Sequence, residues 1–251
     1  MTTAMTKKLA TALLLTAVAV AVLLWLRRAP TPPPLSHPRF LTYVANPRKQ
    51  DLRLYWKDEK GQRFGSLLAL KTGLEAQHRT LVFATNGGMY RPDHSPQGLY
   101  IEDGQQAAAL DTDSARGNFY LKPNGVFFIN GNNSAGICPT PLFRNHGQIK
   151  YATQSGPLLL IEGKMHPAFQ ASSPNVNIRN GVGILPDNRV AFVMSTAPVT
   201  FHELAAYFQR LGCRNALYLD GQVSRTYLPA QRWVQTDGDF GAIIGVSVAE
   251  K

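Results

Sequence analysis

Cysteine is scarce: Cys138 and Cys213 are the only two in 251 residues. A disulfide-framework fold and a four-cysteine zinc site are therefore excluded. An oxidising compartment would permit one bridge, and two buried thiols are the other reading. The six histidines show no zinc-ligand spacing, and Asp237 with Asp239 is too small a set for a calcium loop, so no metal is expected. No Gly-x-Ser-x-Gly elbow supports a serine hydrolase. No Walker A or dinucleotide fingerprint is present, so no nucleotide cofactor is expected. Low-complexity sequence is confined to one proline tract, and no solenoid-period repeat occurs.

What is present begins with charge. The formal net charge of +10 suggests nucleic acid at first sight. Lys7, Lys8, Arg27, Arg28 and Arg39 lie in a leader without one acidic residue, so the remainder is only mildly basic. Its basic residues are scattered, with no aromatic-basic RNA motif, and no nucleic-acid partner is expected. Leu9–Leu26 is free of charge and has no polar face. At about 1.5 Å rise per residue it reaches across a thin hydrocarbon core. Residues 1–28 are expected to be a signal anchor, with a cleaved signal peptide as the alternative. Residues 29–39, with Pro30, Pro32, Pro33 and Pro34, are expected to be a stiff linker. Residues 40–251 would then be one globular domain on the extracytoplasmic, periplasmic side, tied to the membrane by the N-terminal helix.

An apolar fraction of 44% provides a full core. From Phe40 the chain reads as many short strands and few helices. Phe40–Val44, Leu52–Trp56, Thr80–Thr85, Gly125–Asn130, Leu158–Ile161, Arg189–Met194, Ala216–Leu219 and Ala242–Val248 are rich in β-branched and aromatic residues. Phe201–Leu211 is the clearest helix, with Thr200 and Glu203 as a capping box and Gly212 at its end. Ser66–Gln77 is a second candidate, weakened by Gly73. The fold class is α+β, with mixed β-sheets dominating and a few helices.

Polar residues beside glycines at strand ends carry the functional reading. Asn86-Gly87-Gly88 follows one strand, and Gln154-Ser155-Gly156-Pro157 precedes another. Asn177-Ile178-Arg179-Asn180-Gly181 precedes a third. Asp220-Gly221-Gln222-Val223-Ser224 follows a fourth. Glycine removes the β-carbon and lets a ligand approach backbone amides.

The order Thr85-Asn86-Gly87-Gly88-Met89-Tyr90, Gly125-Val126-Phe127-Phe128, Gln154-Ser155-Gly156-Pro157-Leu158, Arg179-Asn180-Gly181-Val182-Gly183 and Leu219-Asp220-Gly221 resembles the phosphodiester glycosidase family over nearly the whole domain. The resemblance implies hydrolysis of a sugar–phosphate diester at the anomeric carbon. A phosphate monoester leaves more readily than an alkoxide, because its second pKa is only about 6. One carboxylate with cationic or amide donors could then suffice, where ordinary glycosidases need two. Asp220 is the candidate carboxylate. Arg179 is the candidate phosphate ligand, because its planar fork binds oxygens in pairs. Asn86, Gln154, Asn180 and Ser224 are candidate sugar ligands, and Gly87, Gly88 and Gly221 candidate amide donors. Lys122 and Asn124 are further candidates for the same cleft. The family pattern has a second glycine after Asp-Gly, where this chain has Gln222. That departure favours the alternative function, a non-catalytic module binding envelope glycans or anionic glycolipids.

Overall fold

Among the described residues sixteen strands, numbered in chain order, pair into three sheets. The computed structural model describes residues 37–250. The expected anchor over Leu9–Leu26, and the linker as far as residue 36, lie outside the described residues. Among the described residues no helix is long and apolar enough to cross a membrane.

The first sheet runs β1 (Phe40–Ala45), β12 (Val190–Ser195), β11 (Asn180–Ile184), β13 (Asn215–Asp220), β9 (Leu158–Ile161) and β10 (Lys164–Met165). The second runs β15 (Trp233–Val234), β14 (Thr226–Leu228), β3 (Arg79–Asn86), β16 (Ile243–Ala249) and β2 (Asp51–Tyr55). The third runs β5 (Gln105–Ala108), β4 (Tyr100–Glu102), β8 (Ile149–Ser155), β6 (Gly125–Asn130) and β7 (Ala135–Pro139).

The α+β class holds, but the sheets are not mixed. Every strand pair among the described residues is antiparallel. The reason lies in the two α-helices of the described residues, α1 (Leu67–Glu75) and α2 (Phe201–Arg210). Helix α2 carries the chain from β12 to β13, which run the same way, yet β11 lies between them and opposes both. Helix α1 links β2 to β3 in the same manner, with β16 between them. Each crossover spans one strand, so no parallel neighbours form.

Inward side chains of all three sheets share one core, including Leu54, Phe83, Tyr100, Phe127, Phe192 and Leu217. Helix α2 covers the outer face of the first sheet, packing Phe201, Leu204 and Phe208 against Val193, Ala216 and Tyr218. Strands β11 and β12 are consequently buried on both faces, which explains why β12 reads as a nearly continuous apolar run. Helix α1 packs Leu67, Leu70 and Leu74 on the second sheet. The expected capping box of Thr200 with Glu203 closes, and Ser66 caps α1 by accepting from the Ala69 amide at 3.1 Å. Cys138 and Cys213 are free thiols. Cys213 is buried, and burial pushes its thiol up to about 12.

Candidate active site

Four strand termini meet at one end of the sheets. Strand β3 ends on Asn86, β8 on Ser155 and β13 on Asp220, while β11 begins on Asn180. Their polar groups bond to one another. Asn180 Nδ2 donates to Asn86 Oδ1 and to Thr85 Oγ1, each at 2.9 Å. Asn180 Oδ1 accepts from the Asp220 amide at 3.0 Å, and Asn86 Oδ1 accepts from the Arg225 amide at 3.1 Å. Ser224 Oγ donates to the Asp220 carbonyl at 2.8 Å. All are buried. Buried amides need partners, and these are met within the protein, tying β3 of the second sheet to β11 and β13 of the first. Asn86, Asn180 and Ser224 therefore stand behind the site as its frame. Gln154 does similar work elsewhere: its Oε1 accepts from the Leu99 and Asp111 amides, and its Nε2 donates to the Asp111 carbonyl.

In front of this frame opens a cleft of about 490 Å³, walled by Met89, Tyr90, Gln97, Asn118, Tyr218 and Asp220. Asn177 and the turn Gly221–Val223 complete the wall. Asp220 is buried, and its Oδ1 accepts from the amides of Gly221 at 2.6 Å and Gln222 at 2.8 Å. Burial pushes this carboxyl above the ordinary aspartate value, against the opposing effect of the Gln222, Gly221 and Val223 amides. Gln222 thus supplies its amide as a glycine would, and the amides of this turn cradle the carboxylate.

Arg179 lies deeper than the sequence suggests. It is fully buried, and no carboxylate pairs with it among the described residues. Its Nε donates to the Val199 carbonyl at 2.9 Å, and Nη2 to the carbonyl and Oδ1 of Asn175. Nη1 donates to the Tyr218 hydroxyl at 3.2 Å. The guanidinium lies 3.8 Å over the Phe201 ring, in a stack continued by Phe169 and His166. Burial pulls Arg179 below its ordinary value, with Tyr218 opposing. The phosphate ligand expected from the sequence therefore reaches the cleft only through Tyr218.

Tyr218 is the residue the sequence reading missed. Burial raises its phenol, so the hydroxyl keeps its proton, and Asn118 faces the same oxygen. With Arg179 donating to it, that proton is left for another acceptor. A register shift in the β11–β13 ladder pairs Asn180 with Asp220 but Gly181 with Tyr218. Tyr218 and Asp220 stand two residues apart on β13, on the face opposite the core residues Leu217 and Leu219, and both wall the same cleft. A β-carbon at Gly221 would overlap the Tyr218 hydroxyl, so glycine there serves a close approach within the protein. Gly87 is likewise engaged, its amide donating to Ala242 and its carbonyl accepting from Thr153. At Gly88, which has φ +143°, a β-carbon would lie 2.9 Å from Thr153 Oγ1. Asn124 is buried and donates to the Phe119 carbonyl, and Lys122 donates to Thr112, so neither walls the cleft. Asp237 and Asp239 pair with Arg225 and Arg63.

Three comparisons bear on this arrangement. A family model described as phosphodiester glycosidase matches residues 79–244, a span holding Asn86, Arg179, Tyr218 and Asp220. The uncharacterized protein YigE of Escherichia coli K12 is 36% identical over 187 residues, covering 74% of this chain and 73% of its own length. The fold is similar to the catalytic domain of zebrafish N-acetylglucosamine-1-phosphodiester alpha-N-acetylglucosaminidase, solved as auto-inhibited by its pro-peptide. That likeness has a TM-score of 0.55 at 13% identity and covers 84% of each chain. A hypothetical protein from Synechocystis gives a TM-score of 0.52 at 15% identity, over 83% of this chain and 59% of its own. At such identities the solved structures speak for the fold alone. The family match spans more than half of the residues, and the chain belongs to the phosphodiester glycosidase family.

Proposed function

We infer that the chain is a hydrolase that cleaves a sugar from a glycosyl-1-phosphodiester at the anomeric carbon. The carrying observation is the buried Asp220 carboxylate on the wall of a polar cleft, beside a Tyr218 hydroxyl that accepts from the uncompensated Arg179. In this reading the Tyr218 proton bonds a phosphate oxygen. Arg179 strengthens that donor from behind, since a charged neighbour polarises a hydrogen bond in a low-dielectric site. The C1–O bond breaks, and its electron pair leaves with the phosphate monoester. Water adds to the anomeric carbon and gives up a proton. Asp220, fixed by two amides, stabilises the positive charge developing on the sugar and accepts that proton. The intact amide cradle at Gln222 favours the enzyme over the non-catalytic module. The proposal places residues 40–251 outside the cytoplasm, behind an anchor at Leu9–Leu26.

The test is incubation of the full chain with a panel of sugar-1-phosphodiesters, following release of free sugar and of the phosphate monoester. On a substrate so identified, Asp220→Asn should lower turnover by at least about 10²-fold, or roughly 2.7 kcal/mol in the barrier. Near-parental turnover by a folded Asp220→Asn protein would refute the assignment.

A further inference from the structure

The opposite end of the sheets carries a second concavity, remote from Asp220. Strand β3 enters there at Arg79 and reaches the candidate active site at Asn86. Seven residue steps of about 3.4 Å along β3 separate the two ends by about 24 Å. The cleft has a volume of about 270 Å³ and lies between the β1–β2 turn, the β6–β7 turn and the start of β8. Arg48, Lys49, Asn133 and Lys150 are among the residues that line it.

Its charge is unbalanced because the nearby carboxylates are already engaged. Asp51 is shared by Arg53 and Arg79. Asp103 accepts from the Tyr151 hydroxyl at 2.6 Å and stands 4.0 Å from Lys150 Nζ. The side chains of Arg48 and Lys49 are exposed and form no ion pair among the described residues. The turn that carries them is nevertheless held firmly. Asn46 Oδ1 accepts from the Arg48 amide, and the Asn46 carbonyl accepts from the amides of Lys49 and Gln50. Gln50 in turn accepts from the Asn46 amide and donates to the Tyr43 hydroxyl at 2.8 Å. A fixed turn presenting free cations over a concave wall focuses positive potential on one small volume.

We propose that this cleft is a second ligand site, specific for a phosphate ester group. A phosphate monoester carries about −1.5 to −2 charge at neutral pH and three terminal oxygens. The planar fork of Arg48 suits two of those oxygens, and an ammonium group suits the third. A carboxylate has one charge and two oxygens and uses the set less completely. The site is independent of the chemistry assigned to Asp220.

The experiment titrates the full chain with glucose 6-phosphate, glucuronate and glucose in separate arms, at about 0.15 M salt to screen diffuse attraction. Backbone amide NMR signals of Lys49, Asn133 and Lys150 report this cleft, and those of Tyr90 and Gln97 report the other. Glucose 6-phosphate should shift the first group saturably and bind at least tenfold more tightly there than glucuronate, with glucose silent. Arg48→Gln combined with Lys49→Gln should weaken that binding at least tenfold. Melting temperature and turnover of a small diester should not change, since neither side chain has an ion-pair partner to lose among the described residues. Shifts confined to Tyr90 and Gln97, equal affinity for glucuronate, or undiminished binding by the folded double variant would each overturn the proposal.

Discussion

Asp220 occupies a position that burial makes costly for an ionised carboxyl. Its pKa is raised in the folded protein, so the folded state holds the proton more tightly than the unfolded chain. For such a group the favourable contribution is complete below the unfolded value, near 3.9, and is lost as pH rises through the folded value. At pH 7 the ionised form therefore detracts from stability. Asp220→Asn keeps an acceptor for the Gly221 and Gln222 amides and removes the charge. Its melting temperature should equal or exceed that of the parent at pH 7, and the gain should vanish near pH 4. A marked loss of stability at pH 7 would make Asp220 a structural carboxylate. Tyr218→Phe should behave oppositely. It strips Arg179 Nη1 of its acceptor in a buried site, so stability should fall by about 1–3 kcal/mol in chemical denaturation. Turnover should fall as well, with the loss in kcat, because the hydroxyl acts on the departing phosphate.

At the scale of elements, much was legible and the gaps have physical causes. The strands at Phe40, Leu52, Thr80, Gly125, Leu158, Arg189, Ala216 and Ala242 all form, because β-branched and aromatic residues suit a buried pleat. Strand β8 was not read as one, since Lys150, Thr153, Gln154 and Ser155 dilute its apolar signal and its polar groups find partners only in the folded chain. Asp220 was legible because an Asp-Gly pair after a buried strand is a local feature. The depth of Arg179 was not, because Val199 and Phe201 reach it from a distant part of the chain. Glycines misled for a related reason. Sequence shows that a β-carbon is missing but not what fills the space. At Gly183 the space is filled by helix α2 and the turn after it: a β-carbon would lie 2.7 Å from Phe208 Cδ1 and 2.8 Å from Cys213 Sγ. Gly183→Ala should overpack that contact and cost about 1–3 kcal/mol in urea unfolding. An unchanged midpoint would mean that α2 can slide on its sheet.

The whole molecule should show a stability maximum on the mildly acidic side of neutrality. Glu102, at the end of β4, is half-buried, and burial pushes its carboxyl up to about 7, against the opposing bonds from Tyr100 and Trp56. Its ionisation penalty is absent below the ordinary value of 4.5 and complete above about 7. Asp220 works in the same direction. The opposing groups titrate lower. Asp93 is held down by Ser95, Glu203 by the Thr200 amide and Asp239 by Arg63 and His94. Their contributions are present above the ordinary carboxylate range and are lost only as pH falls through their depressed values. Between these limits, from about pH 4.5 to below 7, both sets are favourable. Melting temperature should therefore decline from pH 5.5 to pH 8, apart from any change in activity. Glu102→Gln retains an acceptor for the Tyr100 hydroxyl, which lies 2.7 Å away. It should melt close to the parent at pH 5 and above it at pH 8, with a gain of at most about 3 kcal/mol. Thermal melts of both proteins across that range decide the matter. A parental curve that is flat from pH 5 to pH 8, or a Glu102→Gln offset independent of pH, would remove Glu102 as the source of the decline.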